Sequence, residues 1–209
     1  MSASHKIYYS FLHQKDESKV EETYVDSSAF QWTDGLEKSW QTIASEVLPI
    51  VNSKHESVKP YFAKDLVNKP SSWKNLSFYF WGSPMSKEAI NSCPVTINIL
   101  NNIPGLISAS VSILEPGARI NPHYGDTDAI IRCHLGLKIP AGLPSCGFRV
   151  GYEDRSWEQG KLLMFNDAAY HKAWNETDQT RIVLLFDIIR IQHEKQKKWI
   201  CSKVRGSIL

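Results

Sequence analysis

A mainly β fold, an antiparallel sandwich or barrel with a helix packed against it, is what this 209-residue sequence predicts. Three observations carry the expectation. From residue 106 onward, short β-branched and aromatic runs alternate with turn signals: "LISASVSIL", "EPGA", "IIRCHLGLKI", "PAGLPS", "GFRVGY", "EDRSWEQG", "KLLMFN" and "RIVLLFDIIR". Within the runs the apolar period is two, as a sheet with one buried face requires. Upstream, residues 27–52 place Leu36, Trp40, Ile43, Val47 and Ile50 at three- and four-residue intervals. That spacing makes one apolar helix face, which needs a sheet to cover it.

The chain is 42% apolar, enough for a core, and it shows no repeat or linker that would divide it, so residues 1–209 are expected to form one domain. Its 24 basic and 22 acidic residues give a net charge of +2, so no overall field argues for nucleic acid or a membrane surface. No apolar run is long enough to span a bilayer, and "MSASHKIYYSFLHQKDESK" lacks the order of a signal peptide. A soluble, cytoplasmic protein is expected. Cys93, Cys133, Cys146 and Cys201 have no CxxC spacing and read as free thiols. The sequons at Asn75 and Asn175 matter only in a secretory compartment. Residues 191–209, "IQHEKQKKWICSKVRGSIL", carry Lys195, Lys197, Lys198, Lys203 and Arg205 and read as a basic, solvated tail, the alternative being contact with an acidic partner.

The chemistry concentrates in "INPHYGDTDAIIRCHLGLKIP", residues 120–140. Strand alternation places Ile130, Arg132, His134 and Gly136 on one face and Ile131, Cys133, Leu135 and Leu137 on the other. Burying a guanidinium and an imidazole without partners costs on the order of several kcal/mol, so Arg132 and His134 must meet protein acceptors or a ligand. Side by side, the two are a poor structural pair, because both donate, but they suit an anion such as a carboxylate. Further on, "FNDAAYHKAWNETDQTRIVLLFD" supplies His171 just after a strand and Arg181 at the start of the next. His123 and His171 are too few for a closed zinc site but leave coordination positions open, as iron oxygenase chemistry requires.

The run "SILEPGARINPHYGDTDAIIRCHLGLKIP" followed by "FRVGYEDRSWEQGKLLMFNDAAYHKAWNETDQTRIVLLFD" resembles the aspartyl/asparaginyl β-hydroxylase family of Fe(II)- and 2-oxoglutarate-dependent dioxygenases. Upstream, "FQWTDGLEKSWQTIASEV", "WGSPM" and "CPVTINILNNIPGLISASVSIL" are similar to its N-terminal helices and lead-in strands, so the likeness covers residues 28–190. It implies a double-stranded β-helix, a jelly-roll of cupin type, with N-terminal helices on the sheet. It also implies His123 and His171 as iron ligands, and Ser112, Arg132, His134 and Arg181 as the residues holding 2-oxoglutarate. Where most enzymes of the wider class carry H-x-D/E, this chain has Gly125, as the family does. Asp126 is the nearest substitute, yet a one-residue shift turns it to the opposite strand face, leaving a contact through water or a solvated loop carboxylate. Asp167 either accepts the second N–H of His171 or caps a turn. Trp157 and Gly160 read as a hairpin with an aromatic anchor.

The activity so implied is hydroxylation of an unactivated C–H bond with O2, releasing succinate and CO2. Among substrates the β-carbon of an Asp or Asn residue ranks first. The alternatives are a lipid acyl chain, a small or carrier-tethered molecule, or, in another class, a non-catalytic cupin-like metal- or small-acid-binding module. Peptide-acting family members carry an arginine where this chain has Ile130, which moves the expected substrate pocket toward apolar character.

Overall fold

The computed structural model describes residues 23–208. The first half of that stretch holds β1 (Tyr24–Val25), α1 (Thr33–Lys38), α2 (Trp40–Asn52), β2 (Val58–Pro60), β3 (Trp73–Phe80), β4 (Ser83–Pro84), α3 (Lys87–Ser92) and α4 (Pro94–Asn101). Eight strands and a helix follow: β5 (Leu106–Leu114), β6 (Ala118–His123), β7 (Ile130–Lys138), β8 (Cys146–Val150), β9 (Glu153–Arg155), β10 (Leu162–Phe165), β11 (His171–Asn175), β12 (Arg181–Ile189) and α5 (Lys197–Ile208). The larger sheet runs β1-β10-β7-β12-β5-β3-β2, with β4 beside β3, and the smaller runs β6-β11-β8-β9. From β5 to β8 and again from β10 to β12 the chain changes sheet at every strand. Two antiparallel sheets wound in this way are a double-stranded β-helix.

The alternation along β7 is borne out. Ile131, Cys133, Leu135 and Leu137 join Phe186 and Leu184 of β12 in a core against Leu36, Ile43 and Val47 of the N-terminal helices. His134 faces the other way, into the space between the sheets, among Phe148, Trp157 and Phe165. The helix expected over 27–52 is broken at Ser39, whose hydroxyl donates to the Gly35 carbonyl at 2.8 Å and competes with the helix ladder. Trp40 then starts α2 and lies over Gly160, where a Cβ would come within 2.7 Å of the indole. Glu46 on α2 accepts the backbone N–H groups of Val95 and Thr96 at 2.9 and 2.7 Å, capping α4 in place of a local side chain.

Two expectations need correction. Residues 191–208 are not a solvated tail: a 3-10 turn (Ile191–Gln196) leads into α5, which buries Ile200, Cys201 and Val204 against Trp81, Ile107, Ala129, Ile130 and Ile189. The apolar residues of the tail recur at helical spacing, and the open end of the large sheet supplies their partner. Ile130, which the sequence reading sets toward a substrate pocket, instead lies under this helix, fully buried, and lines neither the cavity at the two histidines nor the cleft next to it. It shares a strand face with Arg132, but α5 covers that end of the face. The four cysteines are free and buried, and no described helix is long and apolar enough to cross a membrane.

Candidate active site

His123 ends β6 and His171 begins β11, and the antiparallel register sets the two residues opposite each other although 48 positions separate them. Their ring centroids are 4.2 Å apart. Nδ1 of His123 is 2.8 Å from the Asn121 carbonyl, and Nδ1 of His171 is 2.7 Å from that of Ala169. A carbonyl oxygen only accepts, so Nδ1 carries a proton in both rings, and the neutral form of each is the Nδ1–H tautomer that a ligand bonding through Nε2 uses. Burial, and then His123, hold His171 neutral well below the ordinary imidazole range. The Ala169 carbonyl is therefore the acceptor that orients His171, not Asp167.

Asp167 stands on the other side of the ring, its Oδ1 3.8 Å from His171 Nε2. It also explains Gly125: a Cβ built there would fall 1.8 Å from Asp167 Oδ2 and 2.6 Å from its carbonyl oxygen. The Gly125 N–H donates to that carbonyl at 2.8 Å, clamping the loop after His123 onto Asp167. The space an H-x-D/E side chain would use is thus filled by a carboxylate from another loop. Burial pushes Asp167 up to about 7, with Arg132 opposing. Among the described residues no third His, Cys, Asp or Glu completes a metal-binding group with the two histidines.

An inner cavity joins His123 and His171 to Ser112, His134, Arg181, Trp157 and Arg132. Trp157 does more than anchor a hairpin. Its indole N–H donates to His134 Nδ1 at 3.0 Å, which puts the His134 proton on Nε2, and its ring carries the Arg181 guanidinium at 4.5 Å. Both His134 Nε2 and Arg181 Nε are buried without a hydrogen-bond partner. Arg181 Nη1 reaches the carbonyl and hydroxyl of Ser112, each at 3.3 Å, and Trp73 donates to the same hydroxyl at 3.1 Å. Among the described residues no carboxylate lines this cavity. Burial drags Arg181 down to about 10, and it drives His134 well below its ordinary range with help from the two arginines. Two orphaned donors with excess positive charge fit one end of a dicarboxylate.

Arg132 is different. Its Nε and Nη2 donate to both oxygens of Asp187, at 2.8 and 3.1 Å, and Nη1 lies 2.6 Å from Asp167 Oδ1. Burial works against its charge, but Asp167 and Asp187 outweigh it and raise the pKa above the ordinary value. Arg132 therefore meets protein carboxylates: Nε and Nη2 are hydrogen-bonded to Asp187, and Nη1 is ion-paired with Asp167. Asp187 escaped the sequence reading, although one acid inside the apolar run "RIVLLFDIIR" is a signal that a buried partner is required.

Arg132, Trp73, Ser112 and Leu185 also line a second, outer cleft of about 570 Å³, so the narrow inner cavity and the cleft share a wall. The cleft wall is aromatic: Tyr61 stacks on Trp73 at 3.7 Å, Phe62 follows at 4.5 Å from Tyr61, and Phe80, Trp81 and Met85 extend it outward. Asp126 faces this cleft rather than the inner cavity, and burial raises its pKa against the pull of Arg132.

The fold and the paired histidines define a class: a double-stranded β-helix of the kind found in oxygenases and cupins. A prolyl-4-hydroxylase from Pseudomonas putida shares it, with a TM-score of 0.52 at 14% identity over 81% of this chain and 93% of that one. The model of the family described as aspartyl/asparaginyl beta-hydroxylase matches residues 37–191, and the chain belongs to that family. It is 34% identical over 170 residues to an ornithine lipid ester-linked acyl 2-hydroxylase of Rhizobium tropici, covering 79% of this chain and 59% of that protein. It is 27% identical over 158 residues to the aspartyl/asparaginyl beta-hydroxylase of Homo sapiens, covering 73% of this chain and 20% of that protein. A mouse aspartate beta-hydroxylase domain-containing protein 2 is 32% identical over 164 residues, 73% of this chain and 46% of its own length. The chain thus spans between 20% and 59% of the length of these three sequence relatives.

Proposed function

We propose that the chain is an Fe(II)- and 2-oxoglutarate-dependent hydroxylase acting on an amphipathic substrate with an acyl chain. The observation that carries the reading is the pairing, in one cavity, of two Nδ1-anchored histidines with two orphaned donors, His134 Nε2 and Arg181 Nε. His123 and His171 would hold iron, with the Asp167 carboxylate beside the His171 ring. Arg181, His134 and Ser112 would hold a carboxylate end of 2-oxoglutarate, and Arg132 would add an N–H whose charge Asp187 and Asp167 already balance. Bound together, iron and 2-oxoglutarate supply the activation of O2 that C–H hydroxylation needs. Phe148 and Phe165, 5.7 and 5.3 Å from His171, keep water away from that side of the cavity.

A module that binds no anion has no use for Arg181: a buried guanidinium without a carboxylate costs stability that a bound anion returns, and turnover of 2-oxoglutarate separates a hydroxylase from a non-catalytic small-acid binder. The cleft supports the acyl reading over a peptidyl aspartate. Its polar groups include Glu56, Glu88, Asp126 and Asp187 against Lys59 and Arg132, a balance that repels an acidic side chain, while its aromatic wall suits a hydrocarbon. The Rhizobium relative acts on an acyl group by its name, which agrees.

Succinate release by Fe(II)-reconstituted protein, measured with acyl amphipaths, aspartyl and asparaginyl peptides and free amino acids, tests both parts. Acyl substrates should stimulate release and His171→Ala should abolish it. Release stimulated by aspartyl peptides alone overturns the substrate reading. No iron-dependent binding of 2-oxoglutarate at all overturns the enzyme reading.

A further inference from the structure

The basic C-terminal segment plays no part in the catalytic reading, and its placement gives it a different use. The inner stripe of α5, Ile200, Cys201 and Val204, is packed on the sheet. At 100° per residue the opposite side of the helix centres between Ser202 and Gly206, with Trp199 beside Gly206 and Lys198 and Lys203 on the two flanks. Trp199 is 46% exposed, and Ile191, in the turn leading into the helix, is 87% exposed. Lys195, Lys198 and Lys203 are exposed beside them, and Glu194 is the one acid in residues 191–208. Arg205 points inward, donating to the Trp81 carbonyl and the Ser83 hydroxyl.

From this face we infer that α5 and the turn before it dock on an anionic phospholipid surface. Lysines around a tryptophan and an isoleucine match a membrane interface on two counts: the ammonium groups meet anionic headgroups, and the ring and the branched chain enter the region beneath them. A nucleic acid would satisfy the lysines but leaves Ile191 without a use. The position of the helix adds a third point. Its inner stripe packs on Trp81, which also lines the cleft, and Arg205 ties it to the β3–β4 turn. Past that turn the lip of the cleft carries two exposed apolar side chains, Phe62 and Met85. One hairpin therefore links the docking helix to the mouth through which a lipid would enter. The docking stands apart from the catalytic reading and needs neither iron nor 2-oxoglutarate.

Co-sedimentation of the full chain with vesicles tests it directly. Vesicles of phosphatidylcholine with phosphatidylglycerol should bind at least about tenfold more protein than phosphatidylcholine alone, and rising salt should release it. The triple variant Lys195→Glu, Lys198→Glu, Lys203→Glu changes exposed residues only and should lose this binding. Trp199→Ala together with Ile191→Ala should weaken binding severalfold at unchanged charge. Equal sedimentation with both vesicle types, full binding by the charge-reversed triple variant, or binding to a single-stranded RNA without binding to vesicles would each overturn the inference.

Discussion

The inner cavity and the outer cleft meet at Arg132, and their charge balance is opposite. Among the described residues the inner cavity holds Arg181 and no carboxylate, while the cleft holds Asp126, Asp187, Glu56 and Glu88 against Arg132 and Lys59. Two arginines on neighbouring strands of one sheet therefore do different work. Arg132 is a strut, its charge cancelled by Asp187 and Asp167. Arg181 is buried among Ser112 and Trp157 with its Nε unpartnered, and no acid is paired with it among the described residues. What an arginine does in this fold is set by whether the facing strand brings an acid.

The largest expected effect breaks the strut. Asp187→Ala leaves Arg132 buried with only Asp167 and should cost ~3–5 kcal/mol of stability, read from urea denaturation. If Arg132 instead serves mainly as a ligand anchor, stability will hold and only 2-oxoglutarate affinity will fall. Arg181→Met is the mirror experiment. It should leave stability unchanged or higher, since an uncompensated buried charge is removed, while 2-oxoglutarate binding weakens by ~2–5 kcal/mol in calorimetry. A variant that still folds but is less stable, and binds 2-oxoglutarate with unchanged affinity, would reverse the assignment of the two arginines.

Gly125→Ala probes the seam between the histidines. The added methyl meets both the carboxylate and the carbonyl oxygen of Asp167, and a loss of ~1–3 kcal/mol is expected in thermal or urea melts. Gly125→Asp should likewise not tighten Fe(II) binding, because Asp167 already fills the space such a carboxylate would need. Tighter iron binding by that variant would show that the loop yields easily.

The smallest effect is on pH. His134 stays neutral in the folded protein well below its ordinary range, through burial first and then Arg181 and Arg132. The unfolded chain therefore takes up a proton near ~6.5 that the folded chain does not, so this contribution is full above that pH and is lost as pH falls below it. One such proton is worth up to ~1.4 kcal/mol per pH unit. The slope of stability between pH 6.5 and 5.5, measured on metal-free protein, should shrink by that share in His134→Asn. An unchanged slope would place another group in charge of it.

Much of this was legible in the sequence because it rests on period and composition. The two-residue alternation of "IIRCHLGLK" placed Arg132 and His134 on the inward face, and the spacing of Leu36, Ile43 and Val47 marked the apolar stripe by which α1 and α2 cover the other face. Local words brought His123, His171 and Arg181 into one family and one fold. Tertiary structure alone decided the partners. Asp187, 55 residues from Arg132, becomes its counter-ion because β12 lies beside β7. Asp167 fills the space over Gly125 because one loop is clamped on another. Ile130 leaves the substrate pocket because a helix from the far end of the chain packs on it. Strand parity determines the face a side chain takes, a property of neighbouring residues. Which charge, ring or helix waits on that face depends on how distant segments pack, and sequence periodicity carries no record of that.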